Sequence, residues 1–220
     1  AASVPRDPVT ALRVLAAHSD DPAAQVSPDI VIGSHTDLDA LRRAAQGVTV
    51  LTFDHEHVPT EHLETLVAEG INVAPPPEAL IHAQDKLTMR RRLEALGAPV
   101  PRFSAVSSGG EAEAFAEQIG GPVVIKTVRG GYDGRGVVMA ADAEEAREIV
   151  QRYLADGVEV MIEERVAMKR ELAALVARSP FGQGAAWPVV ETVQRDGICV
   201  TVLAPAPGLS DELGSAASGL

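Results

Sequence analysis

The sequence predicts a parallel α/β unit followed by an antiparallel α+β region, and three observations carry that prediction. Over residues 12–74, short apolar runs alternate with helical patterns, the rhythm of a parallel sheet flanked by helices. Pro75, Pro76 and Pro77 then interrupt the chain. Such a run joins neither a helix interior nor a central strand, so it marks a seam. From Glu171 onward the pattern changes to longer strand-like runs, two of them joined by Arg195, Asp196 and Gly197.

Taken in order, apolar residues at 12–17 and 30–32 predict strands, the spacing over 38–46 a helix, and residues 48–53 a further strand. Thr60 can cap a helix running to Glu69, with Gly70 ending it and a short strand at 71–74. Beyond the prolines, residues 85–96 form a basic amphipathic helix stopped by Gly97 and Pro99. A smaller unit begins near Val106: helix 111–119, strand 123–126, a glycine-rich loop, strand 137–140, helix 143–154 and strand 158–163. Strands at 172–177, 185–193 and 198–203 follow. The Ala-, Gly- and Ser-rich stretch 208–220 reads as disordered or as cut from a larger unit. The predicted division is residues 1–74 and 75–220, with a subunit of the second at about 106–166.

Composition narrows the function. A chain of 220 residues, 46% hydrophobic, can bury a core. Its net charge of -12 and pI near 4.9 argue against nucleic acid and anionic membranes, which are held by clustered Lys and Arg. No apolar stretch approaches the roughly 20 residues that span a bilayer, and residues 1–10 lack the apolar core of a signal peptide, so a cytoplasmic protein is expected. The lone Cys199, inside the apolar run 198–203, reads as a buried core residue rather than a nucleophile.

The most informative stretch runs from Val124 to Val137. Gly130, Gly131, Gly134 and Gly136 between two strands let backbone N–H groups converge on an anion, because a loop without Cβ atoms approaches phosphate oxygens closely. Lys126, at the end of a β-branched strand, sets an ammonium beside it. The spacing is neither Walker A nor the Rossmann fingerprint. A plain hairpin has no need of Lys126, Arg129, Tyr132, Asp133 and Arg135 around one turn. Further on, Glu163 and Glu164 end a strand and Glu171 opens the next. A strand-end backbone can meet an adenine edge and a carboxylate can accept ribose hydroxyls, although a solvated Glu-Glu pair has the same sequence.

Together with residues 54–59 (DHEHVP), 82–86 (HAQDK), 188–191 (PVVE) and 194–197 (QRDG), these motifs resemble those of the N5-carboxyaminoimidazole ribonucleotide synthetases, an ATP-grasp family of purine biosynthesis. The resemblance covers nearly the whole chain beyond residue 10. It implies an ATP-grasp fold with a Rossmann-like N-terminal domain, incomplete in this chain. It also implies a carbon-nitrogen ligase that uses ATP, with Mg²⁺, to carboxylate 5-aminoimidazole ribonucleotide with bicarbonate. Carried over residue by residue, Lys86 and Lys126 match phosphate contacts, and Gly131, Tyr132, Asp133, Gly134, Arg135, Gly136 and Val137 the loop that closes over them. Glu163, Glu164, Arg165 and Val166 match the adenine-binding strand end, Glu171 the ribose ligand, and Gln194 a polar nucleotide contact that is often histidine elsewhere. Tyr132, Asp133 and Arg135 match residues near the aminoimidazole and the carboxylating centre, and Glu56 one that faces the substrate. Asp133 would accept a proton or orient the amine, or else stabilise the turn before Gly134. The family is often dimeric.

The chain departs from the family pattern at both ends. The opening strand with its G-G-G-Q-L motif has no counterpart in residues 1–10, and the family's later metal ligands fall past Leu209, so no metal ligand is assigned and the chain alone is expected not to turn over. Two rival readings are another ATP-grasp carboxylate-amine ligase, such as a formate-using glycinamide ribonucleotide transformylase relative, and a non-catalytic nucleotide-binding module.

Overall fold

The computed structural model describes residues 11–131 and 135–219. The chain divides into two compact units between Gln84 and Asp85. In the first, β1 (Arg13–Ala16) pairs in parallel with β2 (Asp29–Ile32) across the short helix α1 (Pro22–Val26). The next helix, α2 (Leu38–Ala45), is capped by Asp37, whose carboxylate accepts the Asp39 N–H, and it buries Ala40, Leu41, Ala44 and Ala45. The two strands expected at 48–53 and 71–74 shrink to one parallel bridge, Leu51 to Val73. Gly47, at φ 75°, turns the chain before the first, and Pro75, which has no N–H to donate, stops the ladder after the second.

Helix α3 (Thr60–Ala68) has Pro59 at its N-cap position and no side-chain cap, so Thr60 does not cap it. Thr60 is already helical, and its hydroxyl donates to Gln84 Oε1 at 2.7 Å. The proline run lies inside this first unit instead of at its end, because Pro77 opens α4 (Pro77–Gln84), where a missing N–H costs nothing. Leu80 of α4 then joins Leu41, Val58, Leu63, Leu66 and Val73 in one core.

The second unit starts with α5 (Lys86–Ala95), its first turn capped by Asp85, which accepts the Thr88 N–H at 2.7 Å. A four-stranded antiparallel sheet follows in the order β3-β6-β4-β5: β3 (Phe103–Val106), β4 (Val123–Thr127), β5 (Val137–Ala140) and β6 (Val160–Glu164). Strand β3 was not foreseen. Helices α6 (Gly109–Ile119) and α7 (Ala143–Ala155) pack on one face. Both begin with reciprocal caps: Ser108 accepts the Glu111 N–H while Glu111 accepts that of Ser107, and Asp142 and Glu145 repeat the pattern with Ala141.

The long strands expected after Glu171 are broken. Residues 172–177 divide between β7 (Glu171–Ala173) and β8 (Val176–Arg178), and 185–193 between β9 (Gly184–Ala186) and β10 (Val190–Arg195). Pro188, which cannot donate to a ladder, lies in the second break. β8 and β9 pair with each other, while β7 and β10 form a sheet with β11 (Ile198–Leu203) in the order β11-β10-β7. Asp196 (φ 53°) and Gly197 (φ 80°) make the predicted tight turn, both in the left-handed region that joins two twisted strands without splaying them. Cys199 is exposed rather than buried, because β11 is an edge strand, exposed along its length. The stretch read as disordered contains α8 (Asp211–Gly219), started by Ser210, whose hydroxyl accepts the Leu213 N–H.

Candidate functional site

The alternation of a strand decides where Lys126 points. In β4, Val123, Ile125 and Thr127 are buried, with Val123 and Ile125 in the core under α6 and α7, so Val124 and Lys126 lie on the opposite face. The register puts Glu163 of β6 across from Val124 and Met161 across from Lys126, so Lys126 and Glu163 are diagonal neighbours on that second face. Their side chains form an ion pair through Glu163 Oε1. The other carboxylate oxygen, Oε2, accepts from Arg90 Nε of α5 at 3.0 Å. Glu163 is buried, its side chain 5% exposed, while Lys126 and Arg90 keep 22% and 18%. A carboxylate so far from water is stable when each oxygen faces a cation.

The start of α5 meets the base of the glycine loop. The Lys86 N–H donates to the Val128 carbonyl at 2.9 Å and its ammonium to the Gly130 carbonyl at 2.8 Å. Arg129 pairs with the cap residue Asp85 at 3.3 Å. On the far limb, the Gly136 carbonyl accepts the Thr127 N–H at 2.8 Å, and Val137 lies opposite Lys126 in the ladder. Gly131 and Gly136 have φ of 76° and 71°, and a Cβ on either would come within 3 Å of Thr127 Oγ1. The two limbs therefore close on each other only as glycine. Arg135 is exposed beside them, and Tyr132, Asp133 and Gly134 lie outside the described residues.

At the end of β6, the carboxylate of Glu164 accepts from both the Arg102 backbone (3.1 Å) and its guanidinium (2.7 Å), which holds its carboxyl below the usual range. Glu164 thus ties β6 to the chain entering β3. Arg165 and Val166 follow in an exposed loop. Glu171 and Gln194 are brought together: Gln194 Nε2 donates to Glu171 Oε1 at 2.8 Å, and the Thr192 hydroxyl shares that oxygen at 3.0 Å. Glu56 belongs to the first unit, where its carbonyl accepts from Gln84 Nε2 at 2.9 Å. It sits between His55 and His57. The His55 ring meets that of His35 at 4.8 Å, and burial, then the charges of His55 and His57, lowers the His35 pKa.

Arg90 was given no role in the sequence reading, and Asp85 stood there only within the motif 82–86. Arg90 lies four residues after Lys86 on a predicted helix and so shares its face, a signal present in the spacing.

Residues 91–218 match the model of the ATP-grasp domain, and residues 8–84 that of the ribonucleotide synthetase preATP-grasp domain. The N5-carboxyaminoimidazole ribonucleotide synthase of Mycobacterium leprae is 67% identical over 216 residues, 95% of this chain and 49% of that relative. The solved structure of N5-carboxyaminoimidazole ribonucleotide synthetase from Thermus thermophilus gives a TM-score of 0.83 at 32% identity, covering 94% of this chain and 55% of that one. That of the Aspergillus clavatus N5-carboxyaminoimidazole synthase, in complex with ADP and 5-aminoimidazole ribonucleotide, gives 0.80 at 27% identity, with 91% and 52% covered. The chain spans about half the length of the curated relatives it matches. A glycine loop backed by a strand lysine, inside a unit that the ATP-grasp model matches from residue 91 to 218, makes the chain a member of the ATP-grasp family.

Proposed function

We propose that the chain carries the ATP site of an N5-carboxyaminoimidazole ribonucleotide synthase. The observation that supports this most is a glycine-limbed loop that joins the Lys126 strand to its partner, with the Lys86 ammonium on the Gly130 carbonyl at its base. In this reading Lys86 and Lys126 face the ATP phosphates beneath the loop 131–137, the strand end 163–166 borders adenine, and Glu171, steadied by Gln194, accepts the ribose hydroxyls. Tyr132, Asp133, Arg135 and Glu56 serve the aminoimidazole ribonucleotide and its carboxylation.

The γ-phosphoryl group passes from ATP to a bicarbonate oxygen, giving ADP and carboxyphosphate. The exocyclic amine of the aminoimidazole then attacks the carboxyl carbon. A C–N bond forms, the C–O bond to phosphate breaks, and the amine loses a proton. Fixed ammonium groups and loop N–H groups stabilise the charge that develops in such a transfer, and a loop closed over the site keeps water from carboxyphosphate. Among the described residues no cluster of His, Cys, Asp or Glu fits a metal ion, so no step is assigned to Mg²⁺ through this chain.

Calorimetric titration of the purified chain with ATP, with and without Mg²⁺, tests the site, and absence of binding refutes it. ADP release from a full-length protein containing this chain tests the reaction. It should depend on aminoimidazole ribonucleotide plus bicarbonate, and dependence on glycinamide ribonucleotide plus formate instead would move the protein to another ATP-grasp ligase.

A further inference from the structure

We propose that Arg90 is a positioning residue of the nucleotide site, which shares the Glu163 carboxylate with Lys126 so that the group keeps a net positive charge toward an anionic ligand. The inference rests on the ATP-site reading above and deepens it. Glu163 is the only member of the Lys126–Glu163–Arg90 triad that is almost wholly buried, and each of its oxygens holds one cation. Lys126 and Glu163 alone would cancel, leaving a neutral pair where phosphate must bind. Arg90 restores one net positive charge.

The placement follows from two periodicities. Strand alternation puts Lys126 and Glu163 on the sheet face opposite α6 and α7, and helical spacing puts Arg90 one turn beyond Lys86 on α5. Arg90 suits the task because a guanidinium stays charged at every working pH and is less strongly hydrated than an ammonium, so it tolerates its 18% exposure. It holds the carboxylate through Nε and is turned to Glu163 rather than to the loop.

The experiment is ATP titration by calorimetry on the 220-residue chain and four variants, each first checked for folding by circular dichroism. Wild type is expected to bind. Arg90→Met should weaken binding about tenfold, the loss of roughly one charge-assisted contribution. Arg90→Gln, which keeps a donor for Glu163 and removes only the charge, should lose affinity equally, whereas Arg90→Lys, which keeps the charge at a higher cost of dehydration, should lose distinctly less. The double variant Arg90→Met with Glu163→Gln returns the triad to one net positive charge and should recover most of the loss. Full affinity in folded Arg90→Gln overturns the inference, as does a double variant no tighter than Arg90→Met alone. If Arg90→Met does not fold, Arg90→Gln against Arg90→Lys decides by the same criterion. Failure of wild type to bind ATP refutes the ATP-site reading itself, and this inference with it, before any substitution is compared.

Discussion

Lys126 and Arg129 stand three residues apart and carry the same charge, yet the fold gives them different work. Lys126 sits in a paired strand and is turned toward Glu163 on the sheet face opposite α6 and α7, while Arg129, 56% exposed, reaches back to Asp85. A charge-assisted contact to phosphate contributes on the order of 1.5–3 kcal/mol. Lys126→Met should therefore weaken ATP binding about tenfold or more, and Arg129→Met distinctly less, in a calorimetric titration. Equal losses would contradict this geometry. Glu164 makes a second prediction, this time about stability. Its carboxyl is held low by the Arg102 guanidinium and then by the Arg102 N–H, so the fold binds its proton less readily than the unfolded chain does. That stabilisation is fully present above the ordinary carboxylate range and is lost as pH falls through the lowered value. The melting temperature of Glu164→Gln should lie below that of wild type at pH 7 and converge with it in acid. A gap that persists at low pH would show that the carboxylate charge is not the cause. Lys126 was legible in the sequence because alternation and a neighbouring glycine loop are local signals. The carboxylate partner of both Lys126 and Arg90 was not, since Glu163 is 37 residues from one and 73 from the other and only the strand register brings them together.

At the scale of elements, the glycine limbs are the joint between β4 and β5. Gly136 has φ 71°, and a Cβ there would lie 2.5 Å from Thr127 Oγ1 and 3.3 Å from Gly131 Cα. Gly136→Ala should cost on the order of 1–3 kcal/mol from the left-handed backbone alone, which lowers the melting temperature by roughly 2–4 °C per kcal/mol in a chain of this size. Gly110, near the start of α6, is the internal control. A Cβ there meets nothing within 4 Å and its backbone is helical, so Gly110→Ala should leave stability unchanged or raise it by up to about 1 kcal/mol. Thermal melts of the two variants check both, and a harmless Gly136→Ala would mean that the two limbs do not close as described. The helices α2, α3, α5, α6 and α7 were readable because a 3.6-residue period and a following Gly47, Gly70, Gly97, Gly120 or Gly157 are written locally. Strands fared worse where pairing was the deciding factor. An apolar run at 48–53 looks like any strand, but whether a ladder forms beside it depends on a partner 22 residues away that ends in Pro75. The same holds for the break at Pro188, and for Cys199, whose exposure follows from edge position rather than from its apolar neighbours.

Among the described residues, the hydrophobic core around Leu63 and Leu66 and that around Ile125, Val150 and Ile162 have no residue in common. Every residue proposed to touch ATP belongs to the second unit, whereas the residues proposed for the aminoimidazole ribonucleotide are Glu56 of the first and Tyr132, Asp133 and Arg135 of the second. A ligand stabilises what it binds by RT ln(1 + [L]/Kd), about 2.7 kcal/mol at a hundredfold excess over Kd, and the gain falls on the unit that holds the contacts. Saturating ATP should therefore slow hydrogen exchange in β4, β6 and α5 while leaving α2 and α3 as they are. Aminoimidazole ribonucleotide without ATP should, unlike ATP, slow exchange around Glu56 in the first unit. The net charge of -12 sharpens this test, because an acidic chain offers phosphate no general attraction and protection should appear only near the lysines Lys86 and Lys126. Hydrogen exchange with each ligand alone reads both arms at once. Equal protection of the two units by ATP would contradict the assignment of its contacts to the second unit and would reopen the division of labour between Glu56 and the strand-borne lysine.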